Sequence, residues 1–136
     1  MIGVVVVTHG QLATELVNAA ETIVGDLPSF AALSIGWHDD VQDARAELAA
    51  AIDRVQGPEG VVVLTDMFGG TPSNLAITFL ETQKIEVVTG VNLPMLIKLS
   101  SLRDVADVRE VGRQIREHGR NAIWVASDLL QGNAGT

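Results

Sequence analysis

Two residues of this sequence are suited to carry a transferable group: His9, at the end of VVVVTH, and Asp66, directly after VVVLT. A carboxylate that accepts the proton of one imidazole nitrogen fixes the tautomer and leaves the other nitrogen's lone pair free as a nucleophile. An imidazole held in that way can take a phosphoryl group. Phosphoryl transfer asks mainly for positioning and charge stabilisation. Helix N-termini expected after Gly10 and at Thr71 would offer backbone N–H groups to the oxygens, and the paired Gly69 and Gly70 let the backbone come close. The Thr71 hydroxyl either caps its helix or touches phosphate. Gly10, Gly70 and Thr71 are therefore the candidates for phosphate binding. No lysine or arginine stands in these loops, which favours transient carriage over a tight phosphate site. Met67 and Phe68 are either core residues or, with Leu93, an exposed apolar rim on which a partner protein docks.

Singly, each of these residues has a duller use. A histidine after a strand is more often structural than catalytic, an aspartate there is commonly a turn or cap residue, and paired glycines mark turns. Their convergence gives them weight. His38, in GWHDD, reads as a surface or capping residue, and His118 falls in the last turn of a helix, where a cation suits the dipole. Trp37 and Trp124 are expected to pack. A metal site would need more ligands than His9 and Asp66 supply, although Asp39 or Asp40 could be recruited by folding; a metal-assisted hydrolase is the third and weakest reading. There is neither a GxxxxGK[ST] nor a GxGxxG motif, so no nucleotide site is expected, and no cofactor.

The elements that must position these groups are short apolar runs separated by helical periods. Ile2 to Val7, Ala31 to Ile35, Gly60 to Thr65 and Ile85 to Thr89 read as strands buried on both faces. Leu12, Leu16, Ala19, Ala20 and Ile23 mark a helix stopping at Gly25, with Gln11, Glu15, Asn18 and Thr22 on its outer face. Val41, Ala44, Leu48, Ala51, Ile52 and Val55 mark a second, capped by Asp39 or Asp40 and ended by Gly57 and Pro58. A third opens at Thr71-Pro72 and runs to about Thr82, and a fourth opens at Asn92 to Pro94. Val105, Val108, Val111 and Ile115 mark a fifth, ending at Gly119, and Asn121 to Ala126 is a last strand candidate. Residues 1–130 form one domain and 131–136 a frayed tail. This alternation predicts a doubly wound, mainly parallel α/β sheet with helices on both faces. In strand order 2-1-3-4 the first and third strands flank the switch point, which brings His9 and Asp66 side by side at the carboxyl edge.

Composition narrows the partners. With 136 residues, 47% of them hydrophobic, the chain can bury a core without staples, and zero cysteines exclude disulfides and thiolate chemistry. A net charge of −8 repels nucleic acid and anionic membrane surfaces, so a basic or neutral protein partner fits better. The N-terminal apolar run is too short for a signal peptide or a membrane span, and the protein is expected in the cytoplasm.

THG at 8–10, DMFGGTPSN at 66–74 and GVNLPML at 90–96, in this order and spacing, resemble the IIA component of the mannose-family phosphotransferase system over about residues 1–130. The resemblance implies that His9 is phosphorylated by the phosphocarrier HPr and passes the group to a IIB protein, that Asp66 is its hydrogen-bonding partner, and that Thr71 lies near the phosphate. It also implies a four-stranded parallel sheet with a fifth, antiparallel strand exchanged across a homodimer, for which Asn121 to Ala126 is the candidate. Many relatives continue through a hinge rich in alanine and proline into a fused IIB domain, whereas this sequence ends at Thr136. The acceptor is then expected to be a separate IIB protein in a sugar transport system, one that associates with a membrane permease. The alternative is a regulatory module whose His9 phosphorylation state controls binding to a partner.

Overall fold

A computed structural model describes residues 1–36, 39–80, 84–105 and 107–131. Four strands, β1 (Gly3–His9), β2 (Phe30–Ile35), β3 (Val61–Thr65) and β4 (Ile85–Thr89), form one parallel sheet in the order β2-β1-β3-β4. The order is the expected one. The intervening helices are α1 (Leu12–Val24), α2 (Val41–Val55), α3 (Thr71–Ile77) and α4 (Leu93–Leu99), and α5 (Val108–Asn121) and α6 (Ala126–Leu130) follow β4.

The central strands are runs of β-branched residues because both faces are covered. Val4 and Val6 of β1 and Val62 and Leu64 of β3 pack against α1, α4 and α5, while Val5, Val7, Val61 and Val63 pack against α2 and α3. Each of these side chains is fully buried, and each burial stabilises by roughly 1.5–3 kcal/mol. Such a sheet leaves little freedom at its ends, so residues that emerge from β1 and β3 are held by two packed layers.

Three local expectations are corrected. Ala13, Val17 and Ala20 face the sheet on α1, with Leu16 half-buried, whereas Leu12 and Ile23 are exposed. The buried Thr8 hydroxyl accepts the Ala13 N–H at 2.7 Å, and that bond sets the rotation of the helix. The helix at Thr71 is shorter than expected: it ends at Ile77 and continues as a turn through Leu80, where the N–H groups of Thr78, Phe79 and Leu80 bond three residues back. Asn121 to Ala126 is not a strand. Asn121 closes α5, Ile123 N–H bonds the Arg120 carbonyl, and Val125 is the N-cap of α6. A strand needs a neighbouring edge to pair with, and within a single chain this segment satisfies its backbone by helical turns instead. Trp124 does not pack in the core and is 48% exposed, beside exposed Ile123 and Val125. Trp37, His38, Thr82 and the tail 132–136 lie outside the described residues. No helix among the described residues is long and apolar enough to cross a membrane.

Candidate active site

His9 is the last residue of β1, and Asp66 is the first beyond β3. Because Val7 pairs with Thr65 across the two strands, the chain ends emerge as neighbours at the carboxyl edge of the sheet. Asp66 Oδ2 accepts both the backbone N–H of His9 at 3.0 Å and the ring Nδ1 at 2.7 Å, while Oδ1 accepts the Met67 N–H at 3.1 Å. The backbone bond fixes the carboxylate relative to β1, so the ring bond is made at a predetermined angle.

Burial of the Asp66 carboxyl works against its charge, but the side-chain and backbone bonds from His9 and the attraction of the ring outweigh it. The group titrates below the ordinary carboxylate value. Asp66 is thus an ionised acceptor, and a nitrogen 2.7 Å from it must be a donor. Nδ1 carries the proton, and Nε2 keeps its lone pair in the neutral ring. The side chain of Asp66 is 14% exposed and that of His9 51%, so the orienting group is sheltered and the nucleophile is open.

Gly70 closes the site from the other side. A Cβ built there would lie 3.1 Å from His9 Cε1 and 3.2 Å from Nε2, and the residue has φ +86°, a conformation that glycine adopts without strain. Gly70 thus brings the turn close to the Cε1–Nε2 edge of the ring, where a side chain would collide with it. Gly70, rather than Thr71, is the N-cap of α3; Thr71 is its first residue and Pro72 the next. The half-buried Thr71 follows the capping position and does not occupy it.

Two sequence candidates are placed differently from expectation. The Gly10 N–H is spent on the Ile35 carbonyl at 3.1 Å, so Gly10 supplies the left-handed turn after β1 and not a donor for phosphate. Leu93 is half-buried against the core side of α1, α4 and α5 and does not form the exposed rim. Met67 and Phe68 do stand out, 55% and 77% exposed, directly beside the His9–Asp66 pair. His118 lies in the last turn of α5, as expected.

Sequence reasoning passed over two hydroxyls. Thr8 fixes α1, and Ser73, fully buried in the first turn of α3, accepts the Gly69 N–H at 2.8 Å and approaches the Gly70 carbonyl at 3.4 Å. The signal for Ser73 was available: serine side chains bond backbone groups a few residues away, and this one follows a glycine turn by three positions. No cluster of three or more potential metal-ligating side chains occurs among the described residues. The groove of about 330 Å³ between β4 and α5, lined by Glu86, Thr89, Arg109, Arg113 and Arg116 among others, includes neither His9 nor Asp66.

Comparison with known proteins gives a consistent picture. The family model described as "PTS system fructose IIA component" matches residues 3–116. The fructose-specific EIIA component of Bacillus subtilis is 27% identical over 132 residues, which is 96% of this chain and 90% of that protein. The mannose-specific EIIAB component of Escherichia coli is 33% identical over 109 residues, covering 76% of this chain but 32% of that longer protein. Among solved structures, the mannose/sorbose-specific IIA subunit from Enterococcus faecalis superposes with a TM-score of 0.81 at 30% identity, covering 91% of this chain and 93% of that one. With the family's model spanning both strands that hold His9 and Asp66, the chain belongs to the mannose-type EIIA family of the sugar phosphotransferase system.

Proposed function

We propose that this chain is a phosphocarrier that accepts a phosphoryl group from phospho-HPr on Nε2 of His9 and passes it to a IIB protein. The observation that carries the reading is the 2.7 Å bond between His9 Nδ1 and Asp66 Oδ2, which leaves Nε2 as the nucleophile on an exposed ring. In the forward step the Nε2 lone pair forms a bond to phosphorus while the nitrogen–phosphorus bond of the donor phosphohistidine breaks, and the donor imidazole keeps the electron pair. The ring gains positive charge as the bond forms. Asp66 stabilises that charge and keeps the ring from turning, so part of the orientation entropy is removed before the partner arrives. Transfer to IIB is the same step in reverse, with Nε2 as the leaving nitrogen.

The phosphoryl oxygens would be met by the hydroxyl of Thr71 and the backbone beside Gly70. With no lysine or arginine in these loops the phosphoryl group is not trapped, as a carrier requires. Met67 and Phe68 supply an apolar surface that excludes water when a partner docks, and an open site suits a protein donor better than a small substrate enclosed in a cavity. We also infer a cytoplasmic homodimer in which Asn121 to Ala126 is exchanged, covering Ile123, Trp124 and Val125.

A direct test is phosphorus–nitrogen correlation spectroscopy on ¹⁵N-histidine-labelled protein after phosphorylation by HPr. The phosphorus should couple to Nε2 of His9. Coupling to Nδ1 would contradict the assigned role of Asp66.

A further inference from the structure

The geometry points to Ser73 as a positioning residue that holds the Gly69-Gly70 turn close to the Cε1–Nε2 edge of His9 and so sets the rate at which that nitrogen takes and gives a phosphoryl group. This rests on the carrier reading above.

Ser73 is fully buried, an unusual place for a hydroxyl unless its bonds are made within the protein. Its Oγ accepts the Gly69 N–H at 2.8 Å and lies 3.4 Å from the Gly70 carbonyl, so one side chain ties both glycines. Each glycine has a positive φ, +91° and +86°, and no side chain of its own to fix it. The Asn74 N–H holds the Gly70 carbonyl at 3.0 Å, and Ser73 adds the bond that ties Gly69. What it restrains matters, because the Cβ position of Gly70 lies 3.1–3.2 Å from Cε1 and Nε2 of the ring. His9 is therefore bounded on two sides by different chemistry. Asp66 grips Nδ1 and chooses the tautomer, and the glycine turn, tied by Ser73, runs close to the Cε1–Nε2 edge with room for no side chain between them.

Two consequences separate this role from general support of the fold. Loosening the turn should leave the Asp66 bond and the tautomer intact while changing the surroundings of Nε2. It should also slow the chemical step, since a reacting atom misplaced by about 1 Å can lose on the order of 100-fold in rate.

The test uses full-length Ser73→Ala and the near-isosteric Ser73→Cys, whose thiol keeps a weaker bond to Gly69. Two readouts are needed: single-turnover transfer from phospho-HPr at varied donor concentration, and the ring ¹⁵N signals of His9 before phosphorylation. The expected result is a fall of about tenfold in the maximal transfer rate for Ser73→Ala and a smaller fall for Ser73→Cys. The Nε2 signal should shift and the Nδ1–H signal should be retained. Wild-type transfer rates and unshifted Nε2 signals in folded variants would overturn the proposal. If Ser73→Ala fails to fold, Ser73→Cys alone decides by the same criteria. If the wild type takes no phosphoryl group, the carrier reading fails. The Nε2 signal then decides the positioning role: a shift supports it and no shift overturns it.

Discussion

At the scale of single residues, the chemistry depends on one carboxylate serving two bonds. Asp66 Oδ2 holds the His9 backbone and the His9 ring together, so its loss should free the ring without removing the strand. Asp66→Ala is expected to lower the transfer rate about 100-fold or more, with the melting free energy within about 1 kcal/mol of wild type because the partner ring is half exposed. Rapid-quench kinetics beside thermal unfolding would check both parts, and unchanged transfer would remove the assigned role. The same bonds have a pH signature. Burial opposes the Asp66 charge, the bonds from His9 more than offset it, and the folded-state carboxyl lies below its ordinary value. A lowered folded value means that the stabilisation is complete above the unfolded value of about 4 and is lost as pH falls through the lower folded one. The contribution carried by the Asp66 charge should be lost in acid below the unfolded value, as the difference between wild type and Asp66→Ala in denaturant titrations below about pH 5 would show. The sequence made this pair legible because a histidine and an aspartate after adjacent buried strands have few places to go. It did not make Ser73 legible as a working residue, since its bonds to the glycine turn depend on the tight path of Gly69 and Gly70.

At the scale of elements, strand positions were easier to read than helix rotation. Continuous valine runs mark strands covered on both faces whatever the detail of the loops. On α1 the outer face Gln11, Glu15, Asn18 and Thr22 and the buried Ala20 stand as expected, but the apolar stripe is rotated: Ala13 and Val17 are buried in place of Leu12 and Ile23. The Thr8–Ala13 bond, which no periodicity reveals, sets that rotation. Caps were more readable. Asp40 caps α2, and Asn92 caps α4 by accepting the Met95 N–H at 3.1 Å. Asn92 also donates to the Gly119 carbonyl at 3.1 Å, which joins the start of α4 to the end of α5. Asn92→Ala should therefore cost about 1–2 kcal/mol, more than a surface cap at the low end of the range. Urea unfolding would measure it; a loss below about 0.5 kcal/mol would mean that the inter-helix bond contributes nothing. Because α4 and α5 pack on the opposite face of the sheet from α3, and Asn92 bonds neither His9 nor Asp66, phosphoryl transfer per folded molecule should be unchanged.

At the scale of the whole molecule, the sheet acts as a clamp that delivers two chain ends to one edge, beside the exposed apolar side chains of Met67 and Phe68. The segment that departs most from expectation, Asn121 to Ala126, is also where apolar side chains stand in water, and the proposed exchange accounts for both facts. Trp124→Glu should raise the dimer dissociation constant about 30-fold, equivalent to loss of about 2 kcal/mol at an interface anchor. Sedimentation equilibrium would read it, and a wild type that stays monomeric at high concentration would contradict the exchange. This part was least legible because the β-branched and aromatic run Ile123 to Val125 reads as a strand by residue type, whereas within one chain it finds no edge to pair with and closes its backbone in turns. The central claim concerns His9. Intact-mass analysis after incubation with phosphoenolpyruvate, enzyme I and HPr should show one acid-labile phosphoryl group on the wild type and none on His9→Ala. No gain by the wild type with its cognate HPr, or an equal gain by His9→Ala, would contradict it.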